Sequence, residues 1–501
     1  MFSRLVAGLI LFLACGRSAQ LPLSYFRGEP LRIGNQVQLL ADDYIVEDRW
    51  KLTREVGKVM KHMRNPVLVP DKPWEGATPG APAVLYDAQF HKFRMWYVCF
   101  SLSNYFSKKG PSYYTAYAES EDGFVWTKPR LEGFPFEEYE RTNIVGAGGP
   151  GKRFSSTDVM FNPDQSDPAR RFVMVYLGSL GVDRAYSADG IHWRAAGRPL
   201  FKYHSDFPNH LLWVPELQLW YAYVRPSIRP TGMGLLPEGL RHTGRRLALS
   251  TSADLEHWST PRTVMYPDER DEPDFDNVRV FRRHGVFFAL YAWMFSEHGH
   301  SETETHIATS RDGISWERTW DRKPLIARGP EGAYDHGQAA PGSSAPIEVG
   351  EEELIYYYAS PSSQGEWFRE SGVAVCRIRK DRYIGQWAGD QTGYLLTRQF
   401  VLEGNRLVLN CSSVPRNYHQ ESDGIRVEII QAPDFKTRET TWETAVPGFT
   451  LKDCDRIVTD NPAHTVTWNG KSDLSPLKGK AVYLRFQMKK AGLFAFQVRQ
   501  E

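Results

Sequence analysis

Carboxylates recur at one place in this chain. Glu75, Asp158, Asp206, Asp276 and Asp335 each stand just ahead of, or at the start of, a strand-like run. Their neighbours can hydrogen-bond: Ser156 and Thr157 precede Asp158, Asn209 follows Asp206, and His336 and Gln338 follow Asp335. Two carboxyl groups facing one site can divide a proton transfer. One protonates a leaving oxygen, and the other attacks carbon or activates water, as in cleavage of a glycosidic bond. A third tunes the acid by like-charge repulsion. Glu75, Asp158 and Asp335 are the expected catalytic set, facing solvent around one shared pocket. Trp74, Asp206, Asn209, Asp276, His336 and Gln338 are the expected substrate contacts, Trp74 by stacking on a sugar face. The alternative for each acid is a capped loop or a solvated turn. For Trp74 it is a plug between sheets.

A repeat positions these residues. Ser120-Glu121-Asp122-Gly123-Phe124-Val125-Trp126 recurs as Ser187-Ala188-Asp189-Gly190-Ile191-His192-Trp193 and as Ser310-Arg311-Asp312-Gly313-Ile314-Ser315-Trp316. Looser copies centre on Asp254, with Trp258, and on Asp381, with Trp387. Asp-Gly between two strands is a tight-hairpin signal, because Gly tolerates positive φ and Asp bonds nearby backbone. A second hairpin lies upstream in each unit, such as Val84 to Tyr97 or Val278 to Tyr291. Two hairpins make one four-stranded propeller blade. The spacing therefore predicts an all-β chain: a five-bladed β-propeller over 21–394 followed by a β-sandwich over 395–501. Trp126, Trp193, Trp258 and Trp316 should hold equivalent buried positions. The repeat stops near residue 395, where Phe400 to Leu409 reads as a hairpin around Gly404-Asn405.

Composition narrows the partners. The net charge is +1 over 501 residues, which gives no reason to expect nucleic acid or an anionic membrane. Arg4 followed by the apolar run Leu5 to Ala14 reads as a signal peptide over 1–20, hence export to the periplasm or beyond. Phe12-Leu13-Ala14-Cys15 resembles a lipobox, which would place a lipid on Cys15; the alternative is export with Cys15 removed. No later run has the length of a membrane-spanning helix. Cys411 and Cys454 would form a bridge in the last domain or stay as buried thiols. No P-loop, dinucleotide fingerprint, HExxH or EF-hand spacing occurs, so no cofactor is expected. Oligomeric state is left open.

Five blades with Ser-x-Asp-Gly-x-x-Trp hairpins and a trailing sandwich resemble the superfamily of glycoside hydrolase families 32, 43, 68 and 130. Ala41-Asp42-Asp43-Tyr44, Asn65-Pro66-Val67-Leu68-Val69-Pro70 and Pro73-Trp74-Glu75-Gly76 resemble exported bacterial proteins described as predicted glycosyl hydrolases of the family 32 type. The resemblance implies hydrolysis of a plant or microbial oligo- or polysaccharide, with a glycan-binding propeller lacking catalysis as the alternative. From family 43 it also implies a calcium ion in the channel. The Asn-Asp-Pro-Asn-Gly, Arg-Asp-Pro and His-Asp-Pro patterns of the better-known members are absent. Catalytic roles therefore rest on position within the repeat.

Overall fold

A computed structural model describes residues 24–76, 82–148, 154–164, 166–206, 209–226, 245–272, 274–297, 300–363, 371–413, 423–431 and 444–501. The expected signal peptide and Cys15 lie outside these residues. Where the sequence alternates or runs apolar, strands form. The single α-helix among the described residues is Leu102–Ser107.

Four strands make each blade, counted from the axis outward. Blade one is Ala83–Asp87, Lys92–Phe100, Tyr113–Ser120 and Ile144–Ala147. Blade two is Ser155–Phe161, Phe172–Leu177, Val182–Ser187 and Arg194–Ala195. Blade three is Asn209–Val214, Leu219–Val224, Leu247–Ser252 and Arg262–Met265. Blade four is Asp274–Arg283, Val286–Glu297, His300–Ser310 and Glu317–Arg318. Blade five is Gln338–Pro341, Glu352–Ser360 and Gly372–Arg379, and its outer strand is Met60–Lys61, from far upstream. That strand closes the ring by joining the chain's beginning to its last blade.

Apolar faces hold successive blades together. Trp96 and Tyr117 of blade one share a core with Phe172 and Met174 of blade two. Val173 of blade two packs with Leu211 and Trp220 of blade three, and Tyr221 and Tyr223 of blade three pack with Phe275 and Val280 of blade four. Phe288 and Leu290 of blade four meet Ile355 and Tyr357 of blade five. Tyr356 and Val373 of blade five then meet Val84 and Met95 of blade one, which completes the circle.

The Asp-Gly hairpins lie at the end of the blades away from the start of the inner strands. Each Asp is a backbone clasp: Asp189 Oδ1 accepts from the Ser187 hydroxyl at 3.0 Å and the amides of Ile191 at 2.9 Å and His192 at 2.8 Å. The following residue is left-handed, Gly123 at φ 81°, Gly190 at 78° and Gly313 at 72°. Leu255 takes the same conformation at 62° without glycine's freedom, so the looser copy keeps the geometry at some strain. The carbonyl of that residue is bound by the preceding blade: Trp96 Nε1 reaches Gly190 O at 2.7 Å, Tyr223 OH reaches Gly313 O at 3.0 Å, and Tyr356 OH reaches Gly123 O at 2.8 Å. Trp193 meets Trp96, Trp316 meets Tyr223, Trp126 meets Tyr356 and Trp258 meets Phe201, all as inter-blade contacts. These four tryptophans occupy equivalent places, but they are half-buried rather than fully buried.

Two further sheets face each other across one core. The first contains Val46–Trp50, Gly393–Thr397, Phe400–Val401, Gly424–Gln431 and Ala481–Lys489. The second contains Gln38–Leu39, Thr53–Val56, Ile384–Ala388, Arg406–Ser412, Asp460–Thr465 and Ala491–Arg499. Leu395, Val427 and Phe486 meet Leu407, Leu493 and Phe496 between them. The division expected at residue 394 is therefore corrected at both ends. Residues 38–56 and 384–394 pair with the C-terminal strands, because the short strands Val46–Trp50 and Thr53–Val56 find unpaired edges there. Trp387, read as the repeat's last tryptophan, sits in this sandwich against Phe494. Arg382 bolts the two units, donating to Asn410 Oδ1 at 2.7 Å and Cys411 O at 2.9 Å and pairing with Asp460. Cys99, Cys376, Cys411 and Cys454 are buried free thiols, so Cys411 and Cys454 form no bridge. No helix among the described residues is long and apolar enough to cross a membrane.

Candidate active site in the propeller channel

The inner strands begin at one end of the ring, and that end is the channel mouth. Asp158 lies on the inner strand of blade two and Arg279 on that of blade four. Arg279 Nη1 donates to Asp158 Oδ2 at 2.6 Å. Blades two and four are not neighbours, so this ion pair bridges the channel past the inner edge of blade three. There His210 Nε2 accepts the Val280 amide at 3.1 Å, which fixes the imidazole as neutral. Burial, with help from Arg279, pushes its pKa well down.

Asp158 is 3% exposed, and its Oδ1 has no hydrogen-bond partner among the described residues. Burial pushes its pKa up to about 6, against the opposing pull of Arg279 and the Val159 amide. The carboxyl can therefore hold a proton near neutral pH and release it.

Asp276 lies on the same inner strand as Arg279, three residues nearer the mouth. Its Oδ1 accepts from Arg225 at 2.9 Å and its Oδ2 from Arg245 at 2.7 Å. Asn277, next to it, is left-handed at φ 43°, and the ladder to the second strand slips between Asp276 and Arg279. That bulge re-aims the strand where it enters the channel. Asn209 starts the inner strand of blade three, and its Nδ2 donates to the carbonyls of Ser205, at 2.8 Å, and Asp206. The amide thus clasps the loop carrying the half-buried Asp206.

The other expected acids sit elsewhere. Asp335 is 1% exposed and accepts from Lys61 at 2.6 Å and Tyr357 OH at 3.0 Å. Lys61 belongs to the strand that closes the ring, so this pair ties the closure. His336 is half-buried, and its carbonyl accepts from Arg328 at 3.1 Å. Gln338 is buried, with Nε2 3.3 Å from Ser362 O. Glu75 is fully buried: Oε2 accepts from the amides of Asp71 and Lys72 and from Lys128, each at 2.8 Å, and Oε1 accepts from Tyr97 OH. Trp74 is 4% exposed in the core between blades five and one, with Nε1 donating to Asn143 at 2.7 Å. No sugar face can reach that ring.

Solvent exposure, expected for the rim acids, is thus corrected for Glu75, Asp158 and Asp335. Their oxygens are taken by three different cations, Lys128, Arg279 and Lys61, and they share no hydrogen-bond partner among the described residues. The sequence reading missed those cations, along with Arg225 and Arg245. One carried a signal. Arg279 interrupts Val278, Val280 and Phe281 in a buried strand, where a charge needs a partner. Lys61 and Lys128 carried none. Among the described residues no three His, Cys, Asp or Glu side chains are placed to hold a metal ion.

No family model matches this chain, and no curated protein matches it. Solved structures do. A thermostable family-43 glycoside hydrolase is 16% identical over 61% of this chain and 91% of its own, with a TM-score of 0.42. A β-1,2-mannobiose phosphorylase from Listeria innocua is 14% identical over 64% of this chain and 96% of its own, with a TM-score of 0.43. The catalytic domain of a family 62 α-L-arabinofuranosidase from Coprinopsis cinerea is 13% identical over 64% and 97%, with a TM-score of 0.43. The activities are those of the proteins so described.

Proposed function

We propose that this protein, exported by its N-terminal segment, hydrolyses glycosidic bonds of an oligo- or polysaccharide at the channel mouth, with Asp158 as proton donor and Asp276 as its carboxyl partner. The observation that carries the reading is Asp158 itself: a buried channel carboxyl with one oxygen unpartnered among the described residues and a pKa near 6. Asp276 is held by two guanidinium groups in the same channel. Two carboxyl groups in such different surroundings divide into acid and base. In the step, the C–O bond to the leaving group breaks as Asp158 gives its proton to the leaving oxygen. Water supplies hydroxide to the sugar carbon, and its proton returns to the carboxylates. Glu75 and Asp335 act as structural ties.

A second reading is glycan binding without turnover. It is favoured by the ion pairing of Glu75, Asp276 and Asp335. The test is a panel of aryl glycosides and oligosaccharides, assayed for hydrolysis and binding with wild type, Asp158→Asn and Asp276→Asn. The hydrolase reading expects both variants to bind and both to turn over far more slowly than wild type. A wild type that binds but cleaves nothing establishes the second reading.

A further inference from the structure

The mouth has an aromatic side that the acids do not account for. Between the second and third strands of blade one, the chain leaves the sheet at Ser101 and returns at Tyr113. This excursion sits at the mouth end, because Phe100 lies beyond Ala83, the start of the inner strand. It is closed and stiff. Ser101 N bonds Ser112 O at 2.9 Å, the Ser101 hydroxyl caps the helix Leu102–Ser107 at the Asn104 amide, and Asn104 Nδ2 reaches Pro111 O at 3.2 Å.

Four rings stand on this frame. Phe100 packs on Tyr113 at 4.7 Å and on Tyr105 at 5.4 Å, and Tyr105 meets Phe106 edge-on at 5.4 Å. Lys108 covers one face of Tyr105 at 4.3 Å. Phe106 is 70% exposed. The row continues onto blade two, where the Phe154 amide bonds Tyr113 O at 3.3 Å and Phe154 stacks on Tyr176 at 4.1 Å and 17°. Exposed rings held in place by other rings lose little freedom when a flat apolar face settles on them.

We infer that Phe106, backed by Tyr105 and Tyr113, is a sugar-stacking subsite that holds a glycan chain at a distance from the acid centre. The inference rests on the carbohydrate reading of the channel. The occupant is a pyranose presenting its C–H face, because the row leads to the same mouth as the polar channel groups and offers a ring face without a charge at its tip.

The test uses the full chain with cello-, xylo- and manno-oligosaccharides of one to six units, comparing wild type, Phe106→Ala and Phe106→Trp by calorimetry. Phe106→Ala should weaken the longer ligands about tenfold and leave the shortest ligand unchanged, and Phe106→Trp should restore or tighten binding. Hydrolysis of a single-sugar aryl glycoside should not change. If wild type binds the longer ligands and both variants bind them equally well, the subsite is overturned while the channel reading stands. If wild type binds no ligand, the channel reading fails and takes the subsite with it. Loss of self-association or of vesicle binding in Phe106→Ala, with sugar affinity intact, overturns it in favour of a protein or lipid contact.

Discussion

Aspartates at the two ends of the blades do opposite things. At the hairpin end, desolvation pushes the pKa of the exposed Asp122 up, but the amides of Val125 and Phe124 and the Ser120 hydroxyl hold it below the ordinary range. Asp189 is held at about 2 in the same way, with His192 adding to the pull against burial. These carboxylates are permanently charged clasps. In the channel, Asp158 has one guanidinium and the Val159 amide to set against complete burial, and its pKa rises to about 6. The same side chain is a fixed staple where backbone donors surround it and a proton carrier where they do not. Donor count and dielectric decide the role.

Substitutions can break this contrast. Asp158→Asn should lower turnover by about 10²–10⁴-fold, the scale for a positioned proton donor. The amide matches the protonated carboxyl and can still accept from Arg279, so circular dichroism and melting below about pH 6 should change little. Glu75→Gln should do the reverse. It takes one of two carboxylates from the Lys128 ammonium, whose side chain is 7% exposed and which keeps Asp71 at 2.6 Å, and should cost about 1–3 kcal/mol in denaturant unfolding. A fold as stable as wild type would mean that Glu75 is not the tie described here.

Arg279→Gln sharpens the channel side. A general acid works protonated, so activity falls as pH rises through its pKa, giving an alkaline limb near 6 in wild type. Arg279 pulls that value down, so its removal should move the limb upward by about 1–3 units. A limb that stays in place would assign it to another group. The smallest effect belongs to the hairpin end. Asp189→Ala removes four side-chain contacts at the turn and should cost about 1–2 kcal/mol with activity per folded molecule unchanged.

The sequence revealed the hairpin end better than the channel, for a physical reason. A clasp is local: Ser187, Asp189, Gly190 and Trp193 lie within seven residues and bond one another or the next blade, so the motif repeats visibly. The partners of the buried acids are distant in sequence, 121 residues for Asp158 with Arg279 and 274 for Asp335 with Lys61. Asp158 and Asp276 lie on inner strands, while Glu75 and Asp335 lie in the stretches ahead of them. Position in the repeat did not name the cations that meet them, and so could not separate Asp158 from Glu75 and Asp335. The sandwich boundary failed similarly, because Val46–Trp50 is a short strand whose partner lies at the other end of the chain.

The most direct test is the titration of the Asp158 carboxyl itself, read as the protonated C=O band in infrared difference spectra of wild type against Asp158→Asn from pH 3 to 8. The account predicts a midpoint near 6. Ionisation complete by about pH 5, as for an ordinary aspartate near 3.9, would contradict it.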